Sequence, residues 1–183
     1  TLTYQDLAGN SPASATATNI EIDTQTETPT LAAPSQDDDL AQMFTIDFTL
    51  PEAPIPGSVT ITFNAEDTAF FSELTLTGIA QGQTTFILDT AAPTEAALVD
   101  SATQPTIPDS RYTVRINYQD QLGNPAVFSE SSGVIVDTVA PATPAAPDLA
   151  ATHDSGISNT DNITNFTTVK FTGTTEPFGE IIL

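Results

Sequence analysis

The residues of this sequence best able to do chemistry are acids gathered at two places. Asp23 precedes a stretch rich in Thr and Pro, and Asp37-Asp38-Asp39 follow it. Asp137, Asp148, Asp154 and Asp161 surround a second such stretch, where Asn159, Asn162 and Asn165 add neutral oxygens. Calcium accepts six to eight oxygen ligands from carboxylates, amides and carbonyls in loosely defined geometry, so clusters of this kind offer the right donors. The spacing does not match the twelve-residue loop of an EF-hand. The competing reading is solvated turns, because Asp and Asn hydrogen-bond their own backbone. Like charges crowded at a hinge repel unless a cation sits among them, which favours the metal.

Other constellations carry less. Asp6-x-x-Gly9-Asn10 and Asp120-x-x-Gly123-Asn124 have the look of small binding loops, but each lies between two strand-like runs. A hairpin turn, with Gly at positive φ and the Asp or Asn oxygens holding loose amides, is the better expectation. A Ser-His-Asp site would have to use His153, which falls in a polar stretch where an exposed loop histidine is expected, and no nucleophile elbow is present. Cys is absent, which removes disulfides, thiolate nucleophiles and thiolate zinc sites together. No glycine-rich phosphate loop occurs, and the chain is not expected to be an enzyme. Asn162-Ile163-Thr164 and Asn165-Phe166-Thr167 match the glycosylation pattern, a short pattern that often arises by chance. Phe70 and Phe71 are adjacent, so in a strand one packs inward and the other faces out.

The composition narrows the class. Over 183 residues, 3 Lys and Arg stand against 24 Asp and Glu, a net charge of −21, which argues against nucleic-acid binding because phosphates need a basic footprint. With 39% hydrophobic residues the chain can pack a core. No apolar run approaches the roughly 18 residues of a membrane-spanning helix, and no signal peptide opens the sequence, which reads as a soluble window from something longer.

What must position the acids is a repeat. Tyr4-Gln5-Asp6-Leu7-Ala8-Gly9-Asn10 recurs 114 residues later as Tyr118-Gln119-Asp120-Gln121-Leu122-Gly123-Asn124, and the register holds through Ile20–Thr24 against Val134–Thr138. A weaker echo sets Phe48-Thr49-Leu50-Pro51-Glu52 against Phe171-Thr172-Gly173-Thr174-Thr175-Glu176-Pro177. Inside the unit, apolar residues alternate with polar ones in Val59–Phe63, Leu74–Thr77 and Tyr112–Tyr118. The runs Met43–Phe48, Thr85–Leu88 and Val134–Val136 complete a set of short strands punctuated by Pro and Gly. Alternation predicts that Phe44, Ile46, Phe48, Val59, Ile61, Phe63, Leu74, Leu76, Phe86, Leu88, Tyr112, Val114, Ile116, Tyr118, Val134 and Val136 face inward, and that Arg111 and Arg115 face solvent. The expected architecture is an all-β antiparallel sandwich: the last strands of one domain over 1–24, a complete domain over 25–138, and the first strands of another over 139–183. The proline-rich junction at Pro141, Pro144 and Pro147 predicts an extended, semi-rigid connection.

Three features resemble the tandem immunoglobulin-like repeats of giant bacterial surface adhesins of the biofilm-associated and RTX type. These are Tyr-Gln-Asp-x-x-Gly-Asn followed by a strand ending in Asp-Thr, the junction Asp137-Thr138-Val139-Ala140-Pro141, and the head Asp154-Ser155-Gly156-Ile157-Ser158-Asn159-Thr160-Asp161-Asn162-Ile163-Thr164-Asn165 leading to Phe171. The middle of the unit, 40–110, matches less well. The resemblance implies a secreted, extracellular stalk on the bacterial cell surface that carries an adhesive tip outward and supports adhesion or biofilm formation. Its partners would be neighbouring repeats and other copies on the same surface. With the resemblance, the acids read as structural calcium sites: Asp137, Asp148, Asp154 and Asp161 at one junction, with a counterpart of Asp23, Asp37, Asp38 and Asp39 at the preceding one. The alternative is an immunoglobulin-like module that binds a carbohydrate or host protein. It is disfavoured because the chain has no Trp and its Phe residues fall mostly on the apolar phase of strands.

Overall fold

A computed structural model describes residues 1–20 and 22–174. Glu21, the stretch Thr175-Glu176-Pro177 of the echo and the residues after it lie outside the described residues. The chain divides into two compact units, Thr1–Thr138 and Val139–Leu183.

The first unit opens with β1 (Leu2–Tyr4) and β2 (Ala13–Ala15), an antiparallel hairpin that pairs Leu2 with Ala15 and leaves every strand residue exposed. There follow β3 (Thr30–Ala33), β4 (Asp39–Leu40), β5 (Met43–Leu50), β6 (Thr60–Ala65), β7 (Phe71–Leu76), β8 (Gly82–Asp89), a 3-10 turn at Pro93–Glu95, β9 (Val99–Ala102), β10 (Ser110–Tyr118) and β11 (Val127–Val136). They form two sheets, a three-stranded one in the order β3-β5-β8 and a six-stranded one in the order β4-β11-β10-β6-β7-β9. No α-helix occurs among the described residues.

Both sheets turn their apolar phase to one shared core. Phe44, Ile46, Phe48 and Leu50 of β5 meet Ile61 and Phe63 of β6 and Tyr112, Val114, Ile116 and Tyr118 of β10, and the rings of Phe44 and Phe63 touch edge to face at 6.3 Å between the sheets. The inward set expected from alternation is buried, except that Phe86 is half-buried because β8 is the margin of its sheet. Arg115 lies on the outer face, where it pairs with Glu130 at 2.7 Å and its guanidinium covers Phe128 at 3.9 Å. Arg111 is likewise outward, between Asp37 and Glu66. Phe70 packs against Tyr112 while Phe71 is 46% exposed, the split that a strand imposes on neighbours.

One pair of strands departs from the antiparallel expectation. After β3 the chain crosses to the other sheet, and β4 runs parallel to β11 with Asp39 beside Ile135 and Leu40 beside Val136. The run Ile20–Thr24 forms no described strand. Its counterparts Val134 and Val136 pair with Tyr112 and Ser110 of β10.

In the second unit, β12 (Asp148–Leu149) pairs with β13 (Phe171–Thr172), and Leu149 is buried. His153 is half-buried rather than exposed, because its ring lies 5.6 Å from that of Phe166.

Candidate functional site

The repeated loop is the starting point. In the connection from β1 to β2, the Asp6 carboxylate accepts hydrogen bonds from the Asn10 backbone N–H at 3.1 Å and the Asn10 side-chain amide at 2.6 Å, while Gly9 N–H donates to the Asp6 carbonyl at 3.2 Å. In the connection from β10 to β11, Asp120 accepts the same bonds from Asn124 at 2.9 and 2.6 Å, and Gly123 N–H donates to the Asp120 carbonyl at 3.2 Å. Gly9 and Gly123 have φ of +76° and +82°, a conformation that favours glycine. The expected hairpin turn forms twice, closed by one set of bonds.

The surroundings of the two loops differ. Ile55 N–H donates to the Gln119 carbonyl and Gln121 N–H to the Ala53 carbonyl, which lays the 51–56 connection along the loop and brings Glu52 to Asp120. A third segment is pinned from the other side: the Tyr118 hydroxyl donates to the Glu27 carbonyl at 2.5 Å, Glu27 N–H donates to Glu52 Oε2 at 2.7 Å, and Asp120 N–H reaches Thr26 Oγ1 at 3.4 Å. These bonds deliver Asp23. One carboxylate oxygen from each of Asp23, Glu52 and Asp120 then lies within 4.8 Å of the others, with Asp120 buried and its two partners half-buried. Among the described residues this is the one place where three such groups converge.

Electrostatics sharpen the picture. Burial pushes the Asp120 carboxyl up, but the bonds from Asn124 and the loop amides outweigh it and hold the group below the usual carboxylate range, so it remains ionised. Burial first, and the charges of Glu52, Glu27 and Asp120 after it, push the neighbouring Tyr118 hydroxyl up to about 12. Both basic side chains of this unit are committed elsewhere, Arg111 to Asp37 and Glu66 and Arg115 to Glu130. Three carboxylates therefore cluster among backbone amides, and among the described residues no basic side chain pairs with them. Asp23 Oδ2 and Glu52 Oε1 accept no hydrogen bond among the described residues. An all-oxygen, anionic donor set with free lone pairs suits a hard divalent cation, calcium above all.

The other acids named from sequence are distributed differently. Asp37 does not join Asp23: its carboxylate pairs with Arg111 at 3.3 Å, in the space that a side chain at Gly133 would fill, since a Cβ there would lie 2.1 Å from Asp37 Oδ1. Asp38 accepts the Ser35 N–H, and Asp39 sits in β4. Asp137 follows β11 directly and is the last residue but one of the first unit. In the second unit Asp148 is exposed in β12, and Asp161 accepts the Ile163 N–H as a turn residue does. Asp154 is 6% exposed; its Oδ2 accepts the Asn162 N–H, and its Oδ1 is buried with no hydrogen-bond partner among the described residues.

Acid density along the chain does not single out Glu52 and Asp120, yet the repeat carries a partial signal. Two acids of the triad have a counterpart in the repeat, Asp120 in Asp6 and Asp23 in Asp137, whereas Glu52 falls in register with Thr175 of the echo, one position before Glu176. The fold and site define an all-β sandwich protein with an acidic, oxygen-only cluster at Asp23, Glu52 and Asp120. No protein-family model, curated protein or solved structure matches the chain.

Proposed function

We infer that this chain is a length of stalk from a secreted bacterial surface adhesin, in which tandem immunoglobulin-like sandwiches act as spacers and calcium stiffens the joints. The observation that carries the reading is the twice-built loop: one sequence, 114 residues apart, closed by the same hydrogen bonds around Asp6 and Asp120. A unit that recurs in this way lengthens a chain at nearly constant stability per unit, and length is what a stalk supplies.

Two details support the immunoglobulin-like assignment. The first strand divides between the sheets, with β3 on one and β4 parallel to β11 on the other. The Tyr112 hydroxyl donates to the Pro108 carbonyl at 2.6 Å, four residues upstream at the start of β10, the arrangement known as a tyrosine corner. Calcium would be held by Asp23, Glu52 and Asp120, whose mutual repulsion it would cancel. Asp23 belongs to the segment that leads into the complete sandwich, so a metal there ties the incoming connection to the body of the domain.

The test is small-angle scattering on a chain of three complete repeats, with calcium and with a chelator. A longer, narrower distance distribution in calcium supports the stalk reading; identical curves contradict it and return the acids to solvated turns.

A further inference from the structure

The sandwich has four edge strands, and three of them are blunted. β4 has two residues, and β9 has four residues, an Asp and a register shift against β7. β3 has four residues, its own register shift against β5, and Pro34 immediately after it. Natural sheets protect their edges by such means, because a bare edge templates pairing with another chain. β8 is neither shortened, shifted nor followed by a proline, and its one acid, Asp89, stands at its last position. It pairs with β5 over eight residues, from Gly82 opposite Leu50 to Asp89 opposite Met43, without a shift in register. Its first seven residues, Gly82-Gln83-Thr84-Thr85-Phe86-Ile87-Leu88, include no charge and no proline in a chain of net charge −21.

The phase of the ladder identifies the open groups. Thr90 N–H donates to the Gln42 carbonyl, so every second residue back along β8 directs its backbone to β5, and Gln83, Thr85 and Ile87 direct theirs away from it. No described residue accepts from those three N–H groups. Beside them Ile87 is 52% exposed, Met43 of β5 is 62% exposed, and Phe86 at the sheet margin is only half covered.

We propose that the β8 edge is a homophilic docking surface, on which a second copy of this chain adds its own β8 antiparallel to form one continuous six-stranded sheet. The segment is complementary to itself in one register. With Thr85 opposite Thr85 of the second copy, Gln83 faces Ile87, and all the open N–H and C=O groups of both strands pair. Phe86 then meets Thr84 across the seam on the inner side, and Asp89 falls opposite Gln81, so no like charges face each other. Asp47, the acid across from Thr85 on β5, stands three strand spacings from its copy. That is about 14 Å, beyond the Debye length of about 10 Å at 0.1 M salt. On a surface this acidic, two copies approach with least repulsion at such a neutral edge. The interface is one strand wide, so the contact is weak and transient and gains strength only when arrays of repeats align side by side.

The test is sedimentation velocity of the chain over a range of concentrations at 0.1 M and 1 M salt, with amide hydrogen exchange read at Gln83, Thr85 and Ile87. The proposal expects a concentration-dependent dimer that strengthens at high salt, as the Debye length falls to about 3 Å, with matching protection of those three amides. Thr85→Pro, which removes an N–H that β5 does not use, and Ile87→Lys should each weaken the dimer about tenfold or more while leaving melting unchanged. Phe71→Lys, on the outer face of the other sheet, should leave it intact. A monomer at every concentration and both salts, or a dimer that survives both edge variants, overturns the proposal; the first outcome would leave the edge to a strand from a different protein.

Discussion

Asp6 and Asp120 sit in loops that are nearly superposable in their hydrogen bonds and unlike in everything around them. Asp6 closes a hairpin whose strand residues are all exposed, whereas Asp120 closes one whose strands run through the core of the sandwich, with Glu52 and Asp23 laid against it. Seven residues of sequence suffice to specify the turn, because the carboxylate, glycine and asparagine satisfy one another locally. They do not specify a site. The site needs the 51–56 connection and the 23–27 segment, which tertiary hydrogen bonds alone bring in.

The largest effect expected from this contrast is in packing. Tyr118 is fully buried and hydrogen-bonded to Glu27, while its counterpart Tyr4 is exposed. Tyr118→Ala should cost about 3–5 kcal/mol in chemical denaturation, and Tyr4→Ala should change stability by less than about 0.5 kcal/mol. Similar costs at both positions would mean that the two hairpins are packed alike.

A second effect lies at alkaline pH. Burial pushes the hydroxyls of Tyr112 and Tyr118 up to about 12, against an ordinary value of 10. A phenol whose pKa is raised by folding contributes stability below its unfolded value and loses it as pH climbs through the folded one. Stability should therefore fall between about pH 10 and 12. Ultraviolet absorbance should show two of the three tyrosines ionising late, together with unfolding; ionisation of both near pH 10 without unfolding would contradict the burial.

At the acid end the sign reverses. Glu66 is held below the usual range by the Gly133 N–H first, then by Thr113 and Arg111, so it supports the fold above its unfolded pKa and loses that support as pH drops through its folded value. Glu66→Gln should flatten the acid limb of the stability curve, and an unaltered limb would show that the carboxylate contributes nothing there. The smallest effect belongs to Arg115 and Glu130, a partly exposed pair: Arg115→Ala should cost about 0.2–1 kcal/mol, and less in high salt.

The sandwich was legible in the sequence because period-2 alternation makes each strand announce its buried face, from Phe44 to Leu50 and from Tyr112 to Tyr118. Phe86 departs from that pattern only through its place at a sheet margin, which alternation along one strand does not encode. The split of Arg111 and Arg115 from their apolar neighbours followed from the same rule. The site was half legible. Position before a junction singles out Asp23, and the acids nearest it along the chain are Asp37 to Asp39, whereas the fold places Glu52 and Asp120 beside it. Asp37 was diverted by Arg111 and by the space left at Gly133, a contact between residues far apart in sequence. Recurrence of Asp23 and Asp120 as Asp137 and Asp6 is the available clue, and it outranks local acid density.

The most direct test of the whole account is thermal melting of this chain titrated with calcium, run in parallel on Asp120→Asn and Asp6→Asn. A cation bound to the folded state alone adds about 2.7 kcal/mol at a hundred times its dissociation constant. The account predicts that the melting temperature of the parent chain and of Asp6→Asn rises with calcium and falls back with a chelator, while Asp120→Asn shows no response. Melting of the parent chain that ignores calcium, or a response that survives in Asp120→Asn, would contradict it.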